Sequence, residues 1–223
     1  MSDSGSQQVG REGRSRLRRN WLRLAVNLSA IVLTARLGWF LATDRFVFDP
    51  VKEITVQTGR LAIGFLLLTL ACSPLAVILK WPRLHRARRP LGLWSLGYTT
   101  LHFLTFAAWD YRLDLSLLRI GIFAQPFVLV GMSAFLLLLV LGVTSWPGLR
   151  DRMGRSWIWV QRLVYIAAVL DVWHVLWLKK SFWEAWHYPA ILTILFVFRI
   201  PPVRRMVVKS RRWILRNMGR SDG

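Results

Sequence analysis

The stretch Leu61–Leu79, LAIGFLLLTLACSPLAVIL, is 19 residues long and contains no charged side chain. A helix needs about 20 apolar residues to cross the roughly 30 Å of hydrocarbon in a bilayer, so this stretch predicts a transmembrane helix. Because lipid leaves no water to satisfy the backbone, helical spans imply a helical membrane bundle. The sequence predicts an all-α membrane protein with six transmembrane helices: Trp21–Ala42, Leu61–Leu79, Leu91–Trp109, Pro126–Thr144, Trp157–Leu178 and Phe182–Ile200.

The basic residues indicate the orientation of these spans. The formal net charge is +20, a value also found in nucleic-acid-binding proteins. If the N-terminus is cytoplasmic, 21 Lys and Arg residues fall on the cytoplasmic side and 7 on the other. An excess of this kind is the positive-inside signature, so both termini are predicted to be cytoplasmic. The basic charge then reports topology and contact with anionic lipid, and no nucleic-acid partner is expected.

Three regions follow from this pattern. Residues 1–20 predict a disordered basic tail, residues 21–200 the six-helix transmembrane domain, and residues 201–223 a basic cytoplasmic tail with the composition of a surface amphipathic helix. The segment Thr43–Arg60 is interpreted as a solvated outer loop. No internal repeat is visible, and no nucleotide-binding motif is present. The lone Cys72 excludes an internal disulfide and a cysteine-ligated iron–sulfur cluster.

Two histidines lie inside the predicted spans at similar depth. His102 precedes Trp109 by 7 residues and His174 precedes Leu178 by 4, which places them about 10 Å and 6 Å from the outer ends of their helices. A haem iron accepts one imidazole on each axial face. The sequence therefore predicts a haem held by these two histidines. The alternative is that each ring only forms a hydrogen bond with a neighbouring helix.

Two charged residues within the spans are candidates for supporting roles, because an unpaired charge at depth is costly. Asp171 precedes His174 by three residues and could accept the second ring N–H of that histidine. Arg36 lies in the outer half of the first span and could pair with Asp171 or with a haem propionate. A purely structural Arg–Asp pair explains the two residues equally well.

The chain resembles the MsrQ family, the haem-binding membrane subunits of bacterial protein-methionine-sulfoxide reductase systems, within the ferric-reductase-like transmembrane group. The similarity extends over about residues 40–180, with its pieces in the same order as in the family. The matching pieces are Asp49–Ile54 with Thr58–Arg60, Phe65–Leu70 with Pro74, Arg88–Trp94, Leu101–His102, Gln125–Phe127 with Gly131, Thr144–Trp146, Trp157, Arg162–Tyr165 and His174–Trp177.

The resemblance implies a multi-pass protein of the bacterial inner membrane with haem b, and it leaves FMN and quinone as further cofactors. It implies that His102 and His174 bind haem. Electrons would come from the quinone pool or a cytoplasmic flavin reductase and pass to a periplasmic molybdopterin enzyme that reduces methionine sulfoxide. The chain would then be an electron-transfer subunit, not the site of substrate reduction. The alternatives are a ferric-reductase-like haem protein with another outer acceptor, and a haem-free membrane scaffold.

The sequence departs from the family at Gln161. The family has a further histidine in a Leu-His-x-x-Val-Tyr context, where this chain reads VQRLVY over residues 160–165. Gln161 precedes His174 by 13 residues, about 20 Å deeper toward the cytoplasm, and an amide is a poor iron ligand beside imidazole. An inner cofactor is then absent, differently ligated, or replaced by flavin or quinone near the basic loops. Gln125 also replaces the arginine that precedes Pro126 in the family.

Overall fold

The described part of the chain is entirely helical. The computed structural model describes residues 4–43, 49–178 and 182–200, with side chains from Asn20 onward except that of Phe182, and these residues contain no strand. Single turns of 3-10 helix lie at Pro82–Arg86 and Phe182–Glu184, and a π-helical turn lies at Phe106–Asp110. The α-helices in the described ranges are α1 (Ser4–Ala42), α2 (Pro50–Ile78), α3 (Arg88–Thr105), α4 (Leu115–Ala124), α5 (Pro126–Thr144), α6 (Pro147–Met153), α7 (Ser156–Leu178) and α8 (His187–Val197).

Four of these helices are long and apolar enough to cross a membrane: the Asn20–Ala42 part of α1, and all of α2, α5 and α7. The all-α membrane class is confirmed. The other two predicted spans correspond to α3, which carries His102, and α8, which is only 11 residues long. Their length and composition do not by themselves identify them as spans, so the count of six stays a prediction.

Helix α2 begins eleven residues before the predicted span, because its start is capped. The Asp49 carboxylate accepts hydrogen bonds from the backbone N–H groups of Val51 and Lys52, both at 3.1 Å, and Pro50 occupies the first helical position. Asp at the N-cap followed by Pro is a strong helix start. The prediction of a loop over Thr43–Arg60 is therefore wrong from Pro50 onward, and three additional turns of helix lie against the C-terminal half of α3.

The first helix is longer at its N-terminal end than the predicted span, which starts at Trp21. Helix α1 starts at Ser4 and continues without a break to Ala42. It therefore includes most of the residues for which the sequence predicts a disordered tail. The predicted basic tail over 201–223 lies outside the described residues.

The helices pack as two antiparallel pairs. Helix α2 lies along α3, and α5 lies along α7. Helix α1 packs on α3, and α8 packs on α2 and α7. The main apolar core is formed by α2, α5, α7 and α8: Ile63, Leu66, Leu67, Leu70, Leu138, Leu141, Val164, Ala167, Ala168, Val172, Leu192 and Leu195.

A short helix lies in the connection between α3 and α5. Asp114 caps α4 by accepting hydrogen bonds from the backbone N–H groups of Ser116 at 2.8 Å and Leu117 at 3.1 Å. The bonds from Leu117 and Ser116 hold the pKa of Asp114 below its ordinary value. Only one side of α4 is packed, through Leu118 and Gly121.

Tyr98 attaches α1 to the bundle. Its ring is 2% exposed, and its hydroxyl donates to the Ala30 carbonyl at 2.8 Å and lies 3.0 Å from the Thr34 hydroxyl. We expect Tyr98→Phe to lower the free energy of unfolding by about 1 kcal/mol, because one buried hydrogen bond is lost. Thermal unfolding in detergent measures this effect. Thr34→Val leaves the Tyr98–Ala30 bond in place and should lower the free energy of unfolding by less. Equal losses in the two variants would contradict the role assigned to the Tyr98–Ala30 bond.

Candidate functional site

His102 lies in the last turn of α3 with its ring against α2. Its Nδ1 is 2.8 Å from the backbone carbonyl of Thr55. The ring fills the space beside Gly59, where an added Cβ would lie 3.1 Å from Nδ1 and 3.2 Å from Cε1. The earlier start of α2 makes this contact possible, because Thr55 and Gly59 belong to the turns that the predicted span omitted.

His174 is held in the same manner by α5. Its Nδ1 is 2.7 Å from the backbone carbonyl of Phe127. The ring lies beside Gly131, where an added Cβ would be 2.7 Å from Nδ1 and 2.8 Å from Cε1. The Phe127 ring lies next to the imidazole, with 6.2 Å between the ring centroids.

These contacts fix the tautomer of both rings. A backbone carbonyl can only accept, so Nδ1 must carry the hydrogen in each imidazole. The lone pair is then on Nε2, which is the nitrogen available to a metal. A ligating histidine commonly donates its other N–H to a carbonyl, which orients the ring and raises its basicity.

The two rings are separated by the distance that one iron requires. Their centroids are 6.3 Å apart, with an angle of 80° between the ring planes. A metal–imidazole bond is about 2 Å long and a ring nitrogen lies about 1.1 Å from the ring centre, so two imidazoles on opposite faces of one metal have centroids about 6.2 Å apart. The residues present therefore fit a haem bound between the α2–α3 pair and the α5–α7 pair.

A porphyrin would have to supply the remaining ligands. The described residues contain no group of three or more His, Cys, Asp or Glu side chains that could hold a metal ion. A haem iron brings four equatorial nitrogens of its own and needs only two axial ligands from the protein.

The two half-sites have the same spacing along the chain. Each ring nitrogen is 47 positions from the carbonyl that it contacts, and each histidine follows its glycine by 43 residues. Shifting the sequence by 72 residues therefore aligns α2 and α3 with α5 and α7. Identical residues at this offset include Val56/Val128, Gly59/Gly131, Ala62/Ala134, Leu66/Leu138, Leu67/Leu139, Leu91/Leu163, His102/His174 and Leu104/Leu176.

Comparison with known proteins gives the family. Residues 58–172 match the family model for the ferric reductase like transmembrane component. A protein of Herminiimonas arsenicoxydans named protein-methionine-sulfoxide reductase heme-binding subunit MsrQ is 36% identical over 177 residues, covering 78% of this chain and 81% of its own length. The protein of the same name from Ralstonia nicotianae is 38% identical over 183 residues, covering 80% and 84%. The chain belongs to the MsrQ family.

A third relative with that name, from Klebsiella pneumoniae subsp. pneumoniae, is 37% identical over 161 residues and covers 72% of this chain and 80% of its own length. The region shared with the MsrQ relatives contains more than two thirds of each chain. With its apolar helices, this MsrQ-family chain is a multi-pass bacterial membrane protein.

The two charged candidates do not meet in this MsrQ-family chain. Arg36 is exposed on α1, where its guanidinium lies over the Phe40 ring at 5.1 Å from the centroid. The Asp171 carboxylate forms no hydrogen bond or ion pair with any described residue. Since Nδ1 of His174 is bonded to the Phe127 carbonyl, Asp171 is not the group that orients that ring.

Gln161 is engaged in contacts between α7 and α5. Its Nε2 donates to the Thr144 hydroxyl at 3.1 Å and, more weakly, to the Leu141 carbonyl at 3.4 Å. Trp157, one turn earlier in α7, donates from Nε1 to the Thr144 carbonyl at 2.9 Å. At the position where the resemblance implies a further histidine, this chain thus has an amide that joins two helices.

Arg199 packs at the end of the core opposite to the two histidines. Its guanidinium donates to the Tyr165 hydroxyl and, at 2.9 Å, to the Leu70 carbonyl, and it lies over the Tyr165 ring at 4.6 Å from the centroid. Its Nε is buried and has no hydrogen-bond partner among the described residues. These contacts connect the end of α8 to α2 and α7.

Sequence reasoning identified the two histidines but missed the groups that hold them. Thr55 and Phe127 contribute backbone carbonyls, which leave no trace in side-chain chemistry. Gly59 and Gly131 were recognised only as parts of family motifs. The signal that could have found them is the equal Gly-to-His spacing in the two halves.

Proposed function

We propose that this chain is the haem-carrying electron-transfer subunit of a methionine sulfoxide reductase system. One b-type haem would lie between α3 and α7, with Nε2 of His102 and His174 as its axial ligands. The observation that supports this most strongly is the pair of imidazoles with centroids 6.3 Å apart, each with Nδ1 bonded to a backbone carbonyl.

The haem, when bound, supplies one-electron chemistry at the iron. The chain contributes two oriented imidazoles and an apolar surround, and both of these tune the reduction potential. With both His102 and His174 holding the iron, the site would transfer electrons and would not bind a substrate at the metal. Reduction of methionine sulfoxide is therefore assigned to a partner protein.

The topology of this proposal has six spans with both termini in the cytoplasm. Both histidines then lie in the outer half of the membrane, nearer to a periplasmic acceptor than to the cytoplasm. The electron donor would be the quinone pool or a cytoplasmic flavin reductase, and the acceptor a periplasmic molybdopterin enzyme of the MsrP type. FMN, which the resemblance also implies, is not part of the proposal.

A second candidate function is outward transfer to ferric iron or another acceptor. The match to the ferric reductase like transmembrane component favours it, and the same histidines would hold the haem. The two functions differ in the acceptor that reoxidises the haem. A haem-free scaffold is the remaining alternative.

The test of the proposed function is the optical spectrum of the purified full-length protein, expressed with an ample supply of haem. We expect a reduced-minus-oxidised spectrum of a b-type haem with one haem per polypeptide. A preparation that never contains haem would exclude both electron-transfer functions and leave the scaffold.

The Gln161 contacts give a prediction about the number of haems. We expect Gln161→Leu to leave the ratio at one haem per chain, because the amide bonds Thr144 and Leu141 and binds no iron. Unfolding should occur at a lower temperature, since two hydrogen bonds between α5 and α7 are lost. Partial loss of haem from a wild-type ratio near two would show instead that Gln161 belongs to an inner haem site.

A further inference from the structure

We propose that Gly59 and Gly131 are positioning residues that hold the two imidazoles nearly perpendicular to each other. This inference rests on the proposed function, since it concerns how the haem ligands are oriented. It adds two residues of the site that have no functional group of their own. It also predicts an electronic property of the iron.

The first step is the position of each glycine relative to the carbonyl that its histidine contacts. Gly59 is four residues after Thr55, and Gly131 is four residues after Phe127. In an α-helix the carbonyl of residue i already accepts the N–H of residue i+4. The side chain at i+4 therefore stands beside that carbonyl, and a second donor reaches it only when this side chain is absent.

The second step is the close fit of the rings. Nδ1 and Cε1 are the nearest ring atoms to the absent Cβ at both glycines. The ring edge that points to the carbonyl thus occupies the volume that a methyl group would fill. The hydrogen bond fixes one edge of the ring, and the backbone of the glycine prevents the ring from moving toward the helix that contains the glycine.

The third step is that the other glycines of the core do not share this arrangement. Gly64 on α2 and Gly97 on α3 have no atom within 4 Å of an added Cβ. At Gly142 the nearest atom is the Cδ2 of Leu96, the end of a flexible side chain. Among the glycines from Gly38 to Gly154 whose surroundings the structure describes, only Gly59 and Gly131 lie against a histidine ring.

The consequence is the 80° angle between the ring planes. Perpendicular axial imidazoles leave the two iron orbitals that interact with them nearly equal in energy. Low-spin ferric iron in that arrangement gives a strongly anisotropic electron paramagnetic resonance signal with a large maximum g value. Parallel rings give a rhombic signal with a smaller one.

The experiment compares three alanine variants of the full chain with the wild type. We expect Gly131→Ala to have the largest effect, because its Cβ would lie within 2.8 Å of the His174 ring. The maximum g value should fall, the haem should begin to bind carbon monoxide, and its reduction potential should become more positive as the carbonyl bond to Nδ1 is lost. Gly59→Ala should change the same quantities less, since its Cβ contacts are 3.1 and 3.2 Å.

Gly64→Ala is the matched control on α2 and should keep the wild-type spectra. The proposal is overturned if the wild type shows a rhombic signal, or if Gly131→Ala keeps the wild-type signal and potential. It is also overturned if Gly64→Ala changes them as much as Gly59→Ala does. A wild-type protein without haem would overturn the proposed function itself, so the two failures are distinguishable.

Discussion

His102→Ala and His174→Ala are each expected to convert a haem that does not bind carbon monoxide into one that does. In the proposed site His102 and His174 would both bind the iron, so no external ligand could enter. Removing one ring leaves five-coordinate iron with an open face. The change is measured as a shift of the main haem absorption band of the reduced protein on addition of carbon monoxide.

Haem retention should fall as well, by roughly tenfold or more for each single variant, since losing even a group that supports a metal ligand costs 10–100-fold in affinity. His187→Ala is the control, because His187 is exposed and its ring lies at a tilt beside that of Tyr188, away from His102 and His174 in the fold. The His187→Ala protein should keep the full haem content, and its haem should not bind carbon monoxide. A His174→Ala protein that behaves like His187→Ala would contradict the ligand assignment.

The second large effect is expected on electron delivery. In vesicles that contain this chain, a quinol donor and an MsrP-type methionine sulfoxide reductase, the wild type should support reduction of methionine sulfoxide in an oxidised protein substrate. The His102→Ala/His174→Ala double variant should reduce this rate to that of vesicles without the chain. Product formation and reoxidation of the haem are followed together.

Gln161→Leu serves as the control for delivery, and it should support a rate close to that of the wild type because one haem is sufficient in this scheme. Addition of ferric iron as the acceptor separates the two candidate functions. Haem that is reoxidised by ferric iron but not by the reductase would favour the second. A double variant that still delivers electrons would contradict both.

The helical class and the common level of the two histidines within the bundle were predictable from the sequence, because both depend on local patterns. The length of an apolar run reports a membrane span, and the number of residues to the end of the run reports depth. The structure places the His102 and His174 rings 6.3 Å apart, as expected for residues at one level on neighbouring helices.

The start of α2 was missed although its signal was present. Asp49 and Pro50 form a helix start, but Lys52, Glu53 and Gln57 interrupt the apolar run that defined the span. Hydropathy therefore favoured a loop where capping favours a helix. The error mattered, because it removed Thr55 and Gly59 from the predicted bundle.

The groups that hold the rings could not be predicted from single residues. A backbone carbonyl is present at every position, and only packing decides which one meets an imidazole. The supporting role considered for Asp171 followed from its spacing of three residues from His174, yet the Phe127 carbonyl of another helix bonds that ring. A contact between helices, and not the spacing within α7, therefore decides which group bonds the His174 ring.

The haem content of the wild type and of the His102→Ala/His174→Ala double variant, measured per polypeptide after identical expression and purification, tests the central claim most directly. One haem in the wild type and none in the folded double variant is the predicted result. Haem retained in full by the double variant would show that the iron is bound elsewhere in the chain.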